Sequence, residues 1–418
     1  MNRIRNLLLA LVLAAALPIV PGGIPVAHAQ AGASKGDALR PEIGKLVQEA
    51  DELVKAQKFG DALVKLREAE AVAGRTPYEN FAIDRARGAA ALEAGDNQIA
   101  IQSFEAVVAS GRLAPADQLA TIDALARASF RARDYPKAAS WASRYFKDGG
   151  TDPQVRLLLA RSQYLNDEFA SAATEVRAVI EADEKAGVTP PVDRLQLLAS
   201  CYIKLNDNAG YVFALEKYLV YYPKKEYWAD AIRRVETKAG FADRLTLDAF
   251  RLRQATDNLA SAADYTAMAQ LAITAGYPAE AKRVLEQGYA AGALGGGADA
   301  DGQRRLRDLA TRQAAEDEKL LAQNARDAVA AKDGTPLVSV GFAMVAAGQF
   351  EKGIALMEQG IRKGGVRRPD DANLHLAIAY FAAGQKAKAI LAFKAVQGAD
   401  GAADLARLWL IHVRRSLG

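Results

Sequence analysis

The sequence predicts an all-α fold, a solenoid of about ten antiparallel helix pairs closed by one C-terminal capping helix. Three observations predict it. Half of the 418 residues are hydrophobic but only 7% are aromatic. The apolar load is therefore mostly Ala, Leu and Val, and Ala and Leu lead the helix propensities. Next, "AMVAAGQFEKGIALM" (343–357) returns thirty-six residues later as "AYFAAGQKAKAILAF" (379–393), with AAGQ in the same place. Finally, the same frame recurs along the chain in fixed phase.

The frame is set by a turn position held by Gly95, Asp167, Asn206, Gly276, Gly348 and Gly384. Gly and Asn suit the left-handed conformation that ends a helix, and Asp fits it less well. Five residues later stands a small residue: Ala100, Ala172, Ala281, Gly353 or Ala389. Nine residues later stands a bulky one: Phe104, Val176, Leu285, Met357 or Phe393. Seven residues before the turn another small residue appears: Gly88, Ala160, Ala199, Ala269, Gly341 or Ala377. Small residues at these two places let two antiparallel helices touch backbone to backbone. The bulky one fills the groove toward the next pair. No such hairpin can bury its apolar faces alone, so hairpins stack.

Counting on the small position, the units fall at 62, 100, 138, 172, 211, 281, 353 and 389. The steps of 70 and 72 among steps of 34 to 39 predict one degenerate pair inside each. Tyr211 stands where a small residue belongs, so its hairpin must open or shift.

In chain order, residues 1–29 read as a signal peptide. Arg3 and Arg5 precede an apolar run, 7–17, that is too short to span a bilayer, and Ala27-His28-Ala29 is a cleavage pattern. Cleavage after Ala29 would leave an exported periplasmic chain with no further membrane span. Its net charge falls from +4 by the two lost arginines to +2. That near-neutral balance carries no nucleic-acid footprint. Residues 30–40 read as a linker and 41–290 as an N-terminal repeat block. Residues 291–302, Gly-rich, read as a flexible loop and the joint between two blocks. Residues 303–333 form a charged helical segment, one long helix or a poor hairpin. Residues 334–418 form a C-terminal block whose last helix covers the open face of the final pair.

These positions resemble the tetratricopeptide repeat (TPR) family. The last unit carries the pattern most fully, through Leu376, Ala377, Tyr380, Gly384, Ala389 and Phe393. The unit at Leu198 and Ala199 keeps Tyr202 and ends on Pro223. The resemblance implies a right-handed solenoid whose first helices line a concave groove. In that phase the N-terminal groove holds Arg85, Asp123, Arg127, Phe130, Arg131, Arg161, Tyr164, Ser200, Ile203 and Lys204. Arginines beside Phe130 and Tyr164 would make a cationic, partly aromatic strip suited to a protein or peptide with acidic residues. The family's carboxylate clamp uses Lys and Asn where this chain has Val47 and Asp51, so that function is not carried over.

"YLVYYPKKEYWADAIRRV" (218–235) offers Tyr227 and Trp228 as a second partner surface. The stretch resembles one in exported proteobacterial TPR proteins, some linked to TonB-type transport. That implies a periplasmic partner in energy-coupled uptake. No catalytic, metal or cofactor motif emerges. His375 and His412 lie on different predicted helices and form no HExxH, and Cys201 reads as a small buried packing residue of a first helix. Asp299 and Asp301 begin a calcium-loop pattern that Gln303 and Arg305 break. The chain therefore reads as a non-catalytic scaffold. Its alternatives are an accessory domain of a cell-wall enzyme and a holdase for outer-membrane clients.

Overall fold

The computed structural model describes residues 38–416. The expected leader, its expected cleavage position and most of the expected linker lie outside the described residues. Those residues form twenty α-helices, one 3-10 turn and no strand, a TPR-like all-α fold. The chain divides into two compact units, up to Tyr211 and from Val212 onward.

In the first unit α1 (Pro41–Lys55) pairs with α2 (Phe59–Ala71), and α3 (Pro77–Ala94) with α4 (Asn97–Ala109). Likewise α5 (Pro115–Arg131) pairs with α6 (Tyr135–Lys147), and α7 (Pro153–Leu165) with α8 (Phe169–Lys185). Then follow α9 (Val192–Lys204) and α10 (Asn208–Tyr221), the helix in which the division falls. The first helices α1, α3, α5 and α7 open on proline, whose missing N–H and preset φ suit the first turn.

Every predicted turn residue adopts the left-handed conformation: Gly95 (φ 78°), Asp167 (60°), Asn206 (53°), Gly276 (82°), Gly348 (83°) and Gly384 (74°). Gln57 (58°) and Arg133 (61°) do the same, in units whose turn residue gives no sequence signal. Behind the turn, the next amide donates back over the helix end. Asp96 N–H reaches the Ala91 carbonyl at 2.9 Å, and Gln349 N–H reaches that of Met344 at 2.8 Å. This satisfies carbonyls the helix leaves open.

The small positions meet as expected. A Cβ on Gly341 would lie 2.6 Å from the Gly353 carbonyl oxygen, and one on Gly353 would lie 2.4 Å from that of Gly341. Ala62, Ala100, Ala138, Ala172, Ala281 and Ala389 are all fully buried. The unit at Tyr211 keeps its packing by a shift of one residue. Gly210 now makes the close approach, against the Tyr202 ring, and Tyr211 is buried.

The second unit departs from regular repetition. α11 (Lys225–Glu236) and α12 (Thr246–Ala255), joined through the 3-10 turn Asp243–Leu245, fill the first double step as a loose pair. α13 (Ala262–Thr274) and α14 (Pro278–Ala290) form a regular hairpin. The second double step holds no hairpin but one helix of 31 residues, α15 (Ala300–Ala330). Regular hairpins resume with α16 (Thr335–Ala346) and α17 (Phe350–Lys363), then α18 (Pro369–Ala382) and α19 (Lys386–Lys394), before α20 (Ala402–Arg415). The expected ten pairs are thus eight in phase, one loose pair and one single helix among the described residues.

Residues 291–302, expected as a flexible joint, are not where the compact units divide. Leu294 is buried in the core of α13 and α14, and Gly295 N–H donates to the buried Gln303 Oε1 at 2.7 Å. The apolar anchor and the amide contact tie this Gly-rich stretch down.

α20 rests on α18 and α19, as a cap should, but it also returns to α11 and α12. Trp228 meets the His412 ring edge-on at 5.9 Å. Lys238 pairs with Asp404 at 2.7 Å, and Ala242 N–H donates to the Asp400 carbonyl at 2.9 Å. Arg244 grips Asp371 with two nitrogens, at 2.7 and 2.9 Å, and also reaches Asp400. The second unit is therefore closed on itself.

A buried charge cluster holds that closure. Arg251 donates to both oxygens of Glu280, at 2.8 and 2.6 Å, and to Asp248 Oδ1 at 2.6 Å. Its guanidinium lies 4.6 Å from the centre of the Phe342 ring, which stacks on His375 at 4.5 Å. His375 Nε2 returns to Asp248 Oδ1 at 3.1 Å. Arg251, Asp248 and Glu280 are at most 5% exposed. Removing the arginine would leave Glu280 buried and unpaired and Asp248 with His375 alone. Arg251→Ala should cost about 3–5 kcal/mol in urea unfolding, because breaking a buried pair costs far more than the pair contributes.

Burial alone would raise the Asp248 carboxyl, but the His375 and Arg251 charges outweigh it and hold it at about 2. A folded value below the unfolded one makes stability present above about pH 4 and lost on acidification toward the folded value. The wild type should therefore lose more unfolding free energy than Asp248→Asn as pH falls from about 4 to about 2. Equal slopes in the two chains would refute this.

Candidate functional site

The first helices of the first unit lie side by side, α1 on α3 and α5 on α7. Asp123, Arg127 and Arg131 repeat every four residues, along one face of α5, with Phe130 beside them. Arg161 and Tyr164 stand one turn apart on α7, and Lys204 ends α9.

The arginines do not form a free cationic strip. Each of three reaches an acid on the next first helix. Arg85 on α3 lies 3.7 Å from Asp117 in the first turn of α5. Arg127 on α5 takes Asp123 at 2.7 Å and stands 3.9 Å from Asp152, the N-cap of α7. Arg161 on α7 donates to Asp193 in the first turn of α9 at 2.8 Å. The acids sit at helix N-termini, where the backbone dipole already favours negative charge. The ladder thus ties successive hairpins together. Burial raises the Asp123 carboxyl, against the pull of Arg127 beside it.

Two of the expected cations remain outside the ladder. Arg131 is exposed at the end of α5. Lys204 is exposed and stands 5.6 Å above the Phe169 ring. Phe130 and Tyr164 are half-buried, with edge contacts to Tyr135 at 5.6 Å and Phe169 at 5.4 Å. Burial raises the Tyr164 phenol. Ser200 is buried and Ile203 half-buried, so neither offers an open polar contact.

The second expected surface is open only in part. Trp228 is only 4% exposed, because α20 covers it. Tyr227 is half-buried, its ring 4.8 Å from that of the buried Tyr218. The aromatic stretch is core packing around the closure.

Sequence reasoning missed the acids of the ladder, Asp117, Asp152 and Asp193. A signal for them exists: each lies within two residues of a proline that precedes or opens a first helix, in "PAD", "TDP" and "PVD". Cys201 is fully buried, and burial pushes its thiol up to about 12, so it is no nucleophile at neutral pH. Burial lowers the His412 imidazole. Among the described residues no group of three His, Cys, Asp or Glu stands where it could hold a metal ion.

No family model and no curated protein matches the chain. Among solved structures it is similar to Naa15/Naa10 bound to HypK-THB, at 15% identity and a TM-score of 0.29, over 84% of this chain and 57% of that one. This chain thus spans little more than half of that partner in the comparison. It is also similar to the TPR domain of P58(IPK), at 13% identity and a TM-score of 0.22, over 90% and 99% of the two chains. Yeast Tom70 matches at 12% identity and a TM-score of 0.20, over 90% and 96%. The helix pairing and turn geometry described above carry the fold assignment.

The ladder separates structural from available charge. Arg161→Glu should lower unfolding stability by about 1 kcal/mol or more, since it sets two carboxylates face to face in a part-buried contact. Arg131→Glu should stay within about 0.5 kcal/mol of wild type, as a surface change does. Urea titrations of the two variants check this.

Proposed function

We propose that the protein is an exported, non-catalytic scaffold that binds a protein segment across the first-helix face of its first unit. One observation carries this reading. Successive hairpins in fixed phase set their first helices side by side, and that face offers Phe130, Tyr164, Arg131 and Lys204 at once. Half-buried aromatics supply apolar contact at small entropic cost, and cations outside the ladder supply charge for carboxylates. The interleaved acids Asp117, Asp123, Asp152 and Asp193 narrow the acidic preference to the surroundings of Arg131 and Lys204. A periplasmic location is supported by the leader-like start of the sequence. A role beside TonB-type transport components rests on the resemblance of residues 218–235 alone.

The test is recovery of partners from a crosslinked cell-envelope extract with the tagged chain. The comparison carries Arg131→Glu and Lys204→Glu together, which leaves the ladder intact. One or two proteins should be recovered, and the double variant should lose them by about tenfold. Unchanged recovery would place the partner elsewhere and overturn the reading. Recovery of many unfolded outer-membrane clients by both chains would favour a holdase instead.

A further inference from the structure

In the second unit a pocket of about 240 Å³ opens between the middle of α15, the turn joining α13 to α14, and α16. It is smaller than the ~300–1,000 Å³ of ordinary small-molecule sites, so a single side chain is the size of group it admits. Asp317 and Asn324 from α15 and Ser339 from α16 line it, together with Tyr277 from the turn. Leu321, Val340 and Ala343 supply apolar wall.

Asp317 is the unusual member. Other half-buried carboxylates of this chain either stand beside a cation, as Asp123 does beside Arg127 at 2.7 Å, or accept a backbone amide, as Asp134 does from Lys137 and Asp370 from Gln397. Among the described residues no cation and no hydrogen-bond donor reaches Asp317. Burial raises its carboxyl. A half-buried carboxylate with no counter-charge is unfavourable by itself, and whatever brings a cation there is favoured.

We propose that this pocket takes the side chain of a lysine presented by a protein partner. An ammonium has three donors and no acceptor, and the pocket offers a carboxylate, an amide oxygen and a hydroxyl. The aliphatic stem lies along Leu321, Val340 and Ala343, as lysine stems lie on apolar surface. The inference concerns the second unit and does not rest on the proposed role of the first-helix face.

The experiment titrates the intact chain with Nα-acetyl-lysine methylamide and with its Nε-acetylated counterpart, followed by NMR. The charged probe should saturate and bind at least about tenfold more tightly than the neutral one, and Asp317→Asn should remove that difference. Should the variant fail to fold, the wild type still decides. Bound ammonium favours the charged carboxylate, so the Asp317 carboxyl titration must move downward when the charged probe is added. Equal binding of both probes, no saturation at about 20 mM, or an unmoved Asp317 titration each overturns the proposal.

Discussion

The constraint on which this structure depends is the close approach of two helices at a small residue. At Gly341 and Gly353 the backbones come so near that one methyl group on either would strike the other's carbonyl oxygen. Such contact requires the chain to reverse within a few residues, always at the same angle. The left-handed turn residue does this, and the requirement is strong enough to hold Gln57 and Arg133 at positive φ. A conformation that side chains ordinarily avoid is accepted because the packing on both sides over-determines it. The bulky residues that follow, from Phe104 to Phe393, then join hairpin to hairpin.

The two units use charge in opposite ways. In the first, arginines on one helix meet acids at the N-terminus of the next, in half-exposed pairs that contribute little each and set register by repetition. In the second, Arg251 is taken out of water altogether, with two carboxylates and two aromatic rings around it. The His375–Asp248 contact of that cluster and the salt bridges of Arg244 connect residues more than a hundred positions apart. A repeat array whose units touch only their neighbours has no such contacts. Closure also accounts for the aromatic stretch at 218–235. Its tryptophan is needed inside, under the returning helix.

These differences divide the molecule by what each unit can offer. The first-helix face of the first unit has aromatics at its surface and cations outside the ladder. In the closed unit a carboxylate without a partner among the described residues lines a small pocket. Neither feature resembles a catalytic centre. The buried thiol, the stacked His375 and the covered His412 are each explained by packing.

Much was legible in the sequence because the repeat obeys local rules. A turn residue with positive φ, a small residue five places on and a bulky one nine places on all follow from the geometry of one hairpin. The marked units therefore appear where their spacing puts them, the one at Tyr211 shifted by a residue. The charged segment also declared itself helical, though its run as one unbroken helix could not be told from a poor hairpin. What lay beyond the sequence depends on residues far apart in the chain. No local pattern at Arg127 or Arg161 tells whether the next first helix brings an acid to meet it, so a ladder read as an open cationic strip. Nothing near Trp228 announces that α20 returns to cover it. Nor does Leu294, in a Gly-rich loop, announce that a core lies within reach. The sequence by itself determined the helical hairpin and its phase, because both are set by contacts within about forty residues. Only the tertiary structure decided which charges are spent on each other and which remain for a partner, because that depends on where distant helices come to rest.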